Sequence, residues 1–374
     1  MRDRYIRDPI FGNIKLSDTE QRILDTRAMQ RLRRIKQLGN AYLVYPGSTH
    51  TRFAHSLGTM EIAKRMSNQL LDEEREDLAL VGLLHDVGHA PLSHTLDNIY
   101  AEYLHKSHEQ IGLEIISNSE IGDEISAAGL TKAKFSSLFN GKGEGKVITG
   151  ALGADRIDYL SRDAYYTGVA LGIIDFNRII GKMVMHGNTP AMEEGGIVGA
   201  ESLLIARYFM FSSVYAHHAV AIANLMASKA ANIAISEGYI DPKELIVLDD
   251  NRLEARLIES PAKAMQQRIT DRRLYKKAVF TELGENERIK ISEIDMHLSK
   301  AGLDYEDYVV DIITFKPGGD IEIVKKSGNS AGMLGELSAL VKTLNELMGK
   351  KRMLIIACDR KNESKVKRVI GKIL

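Results

Sequence analysis

Apolar positions recur at helical spacing through roughly the first two thirds of the chain and give way to strand-like runs near its end. Ser17-Asp18-Thr19-Glu20 has the S-x-x-E pattern in which a hydroxyl and a carboxylate satisfy the orphan amides of a helix start. The stripe that follows, Ile23, Leu24, Met29, Leu32 and Ile35, predicts one amphipathic helix whose other faces carry Arg27, Arg31, Arg33, Arg34 and Lys36. Residues 57–71 form a second such pattern. Residues 77–87 are apolar on nearly all sides, which predicts a buried helix, stopped by Gly88 and Pro91. Further helices are expected at 109–117 and 155–166, and one or two long ones across 202–237. Strand signals are scarce before Ile180. A hairpin is expected at 183–197 around the turn cluster Gly187-Asn188-Thr189-Pro190.

After about residue 275 the pattern changes. Tyr308-Val309-Val310-Asp311-Ile312-Ile313, Ile321-Glu322-Ile323-Val324 and Met353-Leu354-Ile355-Ile356-Ala357-Cys358 are β-branched runs, with helices expected at 292–303 and 333–348. Pro317-Gly318-Gly319 reads as a hairpin-type turn. The expected fold is mainly α: a helical core over residues 1–240, then a smaller α+β C-terminal lobe over 241–374.

Composition narrows the function. The 374 residues are 44% apolar, enough for a large core, and the formal net charge is zero, so strong nucleic-acid binding is not expected. Trp is absent and aromatics are 6%, which offers few stacking platforms for bases. The single cysteine, Cys358, excludes an intrachain disulfide and a thiolate-rich zinc site. The first residues lack the apolar stretch of a signal peptide, and the tract 219–235 is interrupted by Asn224, Ser228, Lys229 and Asn232. It reads as a core helix too polar to span a bilayer, and a cytoplasmic protein with no membrane partner is the expectation. Gly141-Lys142-Gly143-Glu144-Gly145 lacks the spacing of a phosphate-cradling loop and reads as a flexible surface loop.

Seven of the eleven histidines lie between His50 and His108, so the chemistry is concentrated there. The buried helix ends in the pair His85-Asp86. An imidazole and a carboxylate are costly to desolvate without partners, and a metal ion partners both. His55 upstream and Asp155 downstream complete a set of two imidazoles and two carboxylates from three segments. That set suits Mn, Fe, Co, Ni or Zn, with Mg at a more oxygen-rich second position. A divalent ion so held favours hydrolysis of phosphate esters or anhydrides. His89, His94, Asp97 and His108 form a second set, in which Asp97 can orient His94 as a proton donor. His105, His186 and His297 read as ordinary polar residues. Arg52, Arg156 and Arg207 are candidates to grip phosphate oxygens in bidentate fashion. Arg31 and Arg34 read as surface residues.

Together these residues resemble the HD-domain metal-dependent phosphohydrolases, and within them the deoxynucleotide triphosphohydrolase branch. The resemblance rests on 30–39, on Tyr45-Pro46-Gly47-Ser48 with Arg52-Phe53-Ala54-His55-Ser56-Leu57-Gly58, and on 84–94. It continues through His108-Glu109-Gln110, Ala154-Asp155-Arg156-Ile157-Asp158-Tyr159-Leu160 with Arg162-Asp163, and Tyr215-Ala216-His217. It implies metal ligation by His55, His85, Asp86 and Asp155 in an HD-domain core. It places His94 and His108 beside the scissile phosphate, with Asp97 supporting His94 and His89 in the same set. It puts Arg52, Arg156 and Arg207 on a triphosphate, and Gln37, Leu38, Tyr159, Asp163 and Tyr215 around a deoxyribose. The implied reaction turns a dNTP into deoxynucleoside and inorganic triphosphate. The implied assembly is a homo-oligomer, a dimer or tetramer, with Asp25, Gln30 and Arg33 at positions that read a regulatory nucleotide. Arg156 and His218 stand where the SAM-and-HD-domain enzyme of that branch has lysines. The alternatives are an HD phosphohydrolase acting on another nucleotide or phosphate ester, and a non-catalytic nucleotide-binding module.

Overall fold

The computed structural model describes residues 4–285 and 287–373. It opens with an antiparallel hairpin of β1 (Arg4–Asp8) and β2 (Gly12–Leu16), where no strand was expected. In β2, Ile14 and Leu16 are buried while Asn13 and Lys15 stay exposed. Five residues of alternation are too few to stand out beside long helical patterns. Ser17 caps α1 (Asp18–Leu24) with the full reciprocal box, its amide donating to Glu20 at 2.8 Å. The single first helix expected is two. The Thr26 hydroxyl donates back to the Ile23 carbonyl at 2.7 Å, and Thr26 caps a separate α2 (Arg27–Leu32).

The centre is α3 (Arg52–Leu71) packed along α4 (Glu76–Leu84). Because Thr51 caps α3, the helix starts five residues before the apolar stripe suggested and carries His55 on its first turns. Leu78, Leu80, Val81, Leu83 and Leu84 are all fully buried. Each such side chain stabilises by roughly 1.5–3 kcal/mol, so α4 is a firm base for the residues at its C-terminal end. Next come α5 (His108–Ser117) and α6 (Ala154–Thr167), the latter packed on α3. Between them, residues 141–145 are tied down by a 3₁₀ turn and by an Arg75–Glu144 ion pair at 3.1 Å, rather than forming a free loop.

The expected hairpin is present as β3 (Met183–His186) and β4 (Thr189–Glu193). After it, α7 (Ile197–Met210) runs into a π-helical turn, Phe211–Tyr215, and His217 then caps α8 (His218–Ser236). By length and composition α8 is apolar enough to cross a membrane, against the sequence expectation, as is the stretch Glu194–Tyr215. In α8, 67% of the apolar window is buried inside the protein, so it acts as a core helix.

The C-terminal part contributes β5 (Lys276–Glu282), β6 (Tyr308–Thr314), β7 (Glu322–Val324), β8 (Ser330–Met333), α9 (Ala339–Lys350) and β9 (Arg352–Cys358). One sheet has the order β5-β9-β6, with Cys358 buried in it. The other has the order β3-β4-β7-β8. The Pro317-Gly318-Gly319 segment is therefore no hairpin turn. It crosses from one sheet to the other, because Ile321 and Ile323 bury in the helical core instead of beside β6. The fold is mainly α with α+β C-terminal elements, and this crossing segment is brought against α6 and α7.

Candidate active site

Three segments meet at one point. His55 Nε2 lies 3.2 Å from His85 Nε2, 3.1 Å from Asp155 Oδ1 and 3.4 Å from Asp86 Oδ2. His85 Nε2 lies 3.3 Å from Asp86 Oδ1 and 3.6 Å from Asp155 Oδ1. The outer ring nitrogens fix the inner ones. His55 Nδ1 faces Asp158 Oδ2 at 2.6 Å and His85 Nδ1 faces the Gly82 carbonyl at 2.8 Å, both pure acceptors. Each Nδ1 must therefore carry hydrogen, which leaves each Nε2 as the atom that would give up a proton and offer a lone pair to a bound cation. The two Nε2 atoms and the carboxylates of Asp86 and Asp155 thus converge on one point. Burial pulls the His55 imidazole down, but hydrogen bonds to Asp155 and Asp158 and the charge of Asp86 outweigh it, pushing it up to about 10. Burial likewise opposes ionisation of Asp155, yet the facing histidines hold it well below the usual carboxylate range. The N/O donor set fits a divalent metal ion.

Residues that pattern reading passed over hold this geometry. Asp158 and Arg162 are fully buried; Arg162 donates to Asp158 at 2.9 Å and to Asp8 of β1 at 2.9 Å. This chain clamps the ring of His55, the arrangement that orients metal-ligating histidines. The signal was available: an Asp and an Arg four apart on one helix face, next to the candidate ligand Asp155. Gly58 makes room for it, since a Cβ there would lie 1.8 Å from Asp158 Oδ1. Gly88 is equally constrained, its Cβ position lying 2.1 Å from the His108 carbonyl.

The loop after Asp86 is strained and held at many points. Leu92 and Ser93 both adopt left-handed conformations, at φ 59° and 58°, which cost L-residues roughly 1–2 kcal/mol each. Asp250, from a short helix (Asp250–Ile258), accepts from the Leu92 amide at 2.7 Å, and Arg52 Nε donates to Ser93 Oγ at 2.9 Å. Arg31, expected on the surface, is buried and donates to the carbonyls of Val87, His89 and Leu248. A helix face rich in arginine looks solvated until the segment it covers is known. Arg34 is half-exposed and pairs with Asp249 at 2.6 Å.

This loop delivers the second set. His94 Nδ1 meets Asp97 Oδ2 at 2.8 Å, and His108 Nδ1 lies 3.4 Å from Asp97 Oδ1. The His108 ring stacks on His89 at 3.8 Å, and His89 Nε2 lies 3.2 Å from Asp86, so one carboxylate joins the two sets. Burial pulls His108 down, but the nearby Asp97 carboxylate more than reverses it and raises the imidazole above its ordinary value. Burial and the Arg52 guanidinium keep His89 neutral. The donor atoms of this set also lie close enough together to hold a cation.

Arg52 spends a nitrogen on Asp86 at 2.5 Å, beside the first cluster. Arg156 and Arg207 both lie within hydrogen-bonding reach of the Tyr159 phenol. Their other partners are the Ala151 and Gly318 carbonyls for Arg156, and the Lys316 carbonyl and Met348 sulfur for Arg207. Tyr215, at the end of the π turn, donates to Asp163 Oδ2 at 2.6 Å, with its ring 6.4 Å from that of Tyr159. Gln37 is buried, its side-chain oxygen without a partner, and Leu38 packs partly buried against the core. Asp155, Tyr159 and Asp163 recur every four residues, so a single face of α6 spans the metal, phosphate and sugar candidates. Asp25, Gln30 and Arg33 are not drawn in. Asp25 and Arg33 are exposed, Arg33 donates to Gln30 at 2.9 Å and stacks over Phe53, and Gln30 donates to the Leu24 carbonyl.

The HD domain family model matches residues 52–163, and the HD associated region matches 174–374. An uncharacterized protein of Methanocaldococcus jannaschii is 39% identical over 281 residues, covering 74% of this chain and 59% of that protein. The deoxynucleoside triphosphate triphosphohydrolase SAMHD1 homolog of Dictyostelium discoideum is 29% identical over 310 residues, covering 73% and 59%. This chain thus spans under two thirds of the length of either relative. A hypothetical protein of Aquifex aeolicus, solved as a crystal structure, superposes with a TM-score of 0.82 at 30% identity, covering 99% of this chain and 100% of that one. The chain belongs to the HD-domain phosphohydrolase superfamily. Within it, the chain stands close to the dNTP triphosphohydrolase branch.

Proposed function

We propose that this chain hydrolyses deoxynucleoside triphosphates, releasing deoxynucleoside and inorganic triphosphate. The observation that carries the reading is the sequence of partners along α6: a metal-ligand carboxylate, Asp155, then Arg156 and Tyr159 facing Arg207, then Asp163 bonded to Tyr215. His55, His85, Asp86 and Asp155 would hold a divalent ion, which supplies electrophilic polarisation of a phosphoryl oxygen. Arg52, Arg156 and Arg207 neutralise the polyphosphate, which offers more acceptors than a monophosphate needs. His108, whose charged form Asp97 favours, or His94, oriented by the same carboxylate, gives a proton to the departing nucleoside oxygen; such general acid catalysis contributes about 10²–10⁴-fold. The Tyr215 ring closes the sugar subsite against a 2′-hydroxyl.

The similarity to a deoxynucleoside triphosphate triphosphohydrolase supports the dNTP class. Incubation with each dNTP and Mn²⁺, followed by product analysis, tests the reading. Inorganic triphosphate is the expected product. Pyrophosphate or orthophosphate would replace it with hydrolysis at another bond, and no turnover of any dNTP would overturn it.

A further inference from the structure

We infer that His50, outside the metal, proton-transfer and phosphate groups, is the positioning residue of the sugar subsite. The inference rests on the dNTP reading above and deepens it. His50 Nε2 lies 2.8 Å from Asp163 Oδ1, and both side chains are buried. The carboxylate only accepts, so Nε2 carries the hydrogen and donates. The other oxygen of Asp163 takes the Tyr215 hydroxyl at 2.6 Å. Asp163 is thus held from both sides, and its orientation fixes that of the Tyr215 phenol. On its own backbone, the His50 carbonyl accepts from the Gln37 amide at 3.0 Å. Gln37, Asp163 and Tyr215 come from three separate parts of the chain, and His50 touches or fixes all three.

The ring has little freedom of its own. It stacks on Tyr166 with centroids 4.7 Å apart and planes 23° apart. Its Nδ1 is buried without a partner, as is the Gln37 side-chain oxygen. An unpaired buried polar atom is costly, so this position holds a histidine against the preference of an apolar environment. A residue that served packing alone would need no such atom. The role assigned is therefore selection by rigidity. An added hydroxyl is rejected strongly only by a wall that cannot yield, and His50 stops Asp163 and Tyr215 from yielding.

The test compares the four dNTPs with their ribonucleotide counterparts in the unmodified protein and in three variants. His50→Phe keeps the stacking on Tyr166 and removes the donor. His50→Asn keeps polarity and loses reach. His50→Gln places an amide nitrogen where Nε2 stood. In His50→Phe and His50→Asn the deoxy-over-ribo ratio of kcat/KM is expected to fall about tenfold, the factor one buried hydrogen bond carries. The change should fall on KM, with kcat and bound metal little altered, and His50→Gln should restore most of the ratio. Whichever ablated variant retains metal content and circular dichroism supplies the reading. An unchanged ratio in such a variant overturns the role of His50 while leaving the dNTP reading intact. Loss of the ratio in His50→Gln to the same extent as in His50→Phe would also overturn it, since packing alone would then account for the effect. An unmodified protein that turns over no dNTP, or dNTPs and ribonucleotides equally, overturns the sugar reading and the inference with it.

Discussion

The proposed metal corner and the proposed phosphate corner of this site are built in opposite ways. Around His55 and His85, the charged groups meet charged side-chain partners from the first half of the chain: Asp86 with Arg52, His55 with Asp158, Asp158 with Arg162, and Arg162 with Asp8. Around Arg156 and Arg207, the described partners are a phenol, a thioether and backbone carbonyls, with no carboxylate bonded to either. Two of those carbonyls, of Lys316 and Gly318, come from the segment that crosses between the sheets. Burial and the nearby Arg207 together pull the Arg156 guanidinium below its ordinary value. The first corner presents nitrogen and carboxylate donors whose outer atoms are already held by partners. The second holds two cations against neutral acceptors, and charge-assisted bonds to phosphate are about twice as strong as such contacts. The contrast shows where rigidity and where exchangeability have been placed.

The largest expected effect comes from breaking the metal corner at Asp86. Asp86→Ala should abolish metal binding and activity together. It also strands the buried Arg52, and losing one partner of a buried pair costs about 3–5 kcal/mol, so the melting temperature should fall as well. Full metal occupancy by elemental analysis would remove Asp86 from the ligand set.

Asp158→Asn tests whether the clamp behind His55 matters as much as the ligands. Loss of such an outer partner typically costs about 10–100-fold in metal affinity. Competition with a chelator measures it, and an unchanged metal affinity would reduce Asp158 to a packing role.

The phosphate corner should respond differently. Arg207→Gln is expected to leave metal content unchanged while weakening inorganic triphosphate binding about tenfold, with a shallower salt dependence, as one charge-assisted bond is lost. Calorimetry with triphosphate at two ionic strengths decides this. A fall in metal content instead would mean that the two corners are not separate.

The smallest effect is expected at Asn345 of α9, whose side chain accepts from the Gly318 amide at 2.7 Å. Asn345→Ala loosens the crossing segment without touching either arginine. Triphosphate affinity should rise by a few-fold, on the order of one neutral hydrogen bond made weaker. A decrease would mean that the segment assists phosphate binding rather than competing for the arginines.

The residues that gather at the proposed metal corner could be picked out in the sequence because they sit in dense local patterns. A helix that buries itself on all sides and ends in His85-Asp86 declares its chemistry within a few residues, and Asp97 three residues from His94 does the same. The capping box at Ser17 and the hairpin at β3–β4 were legible for that reason too. Arg31 was not, because five basic groups within ten residues look solvated unless the carbonyls of Val87, His89 and Leu248 are known to lie across from one of them. The first helix was drawn too long because its apolar stripe continues past Asp25, where the Thr26 hydroxyl competes for the backbone.

By itself, then, the sequence determined the helical core, the donor set and the chemistry that set invites, since periodicity and side-chain type are local properties. The tertiary structure alone decided that Asp8 of an N-terminal hairpin steadies the ring of His55 through Arg162, that Asp250 pins the strained loop carrying His94, and that a segment beyond residue 315 lies on Arg156 and Arg207. Each of these joins residues more than 100 positions apart. A single hydrogen bond between distant residues leaves no periodic trace along the chain, and it forms only after burial of the core has brought its two ends together.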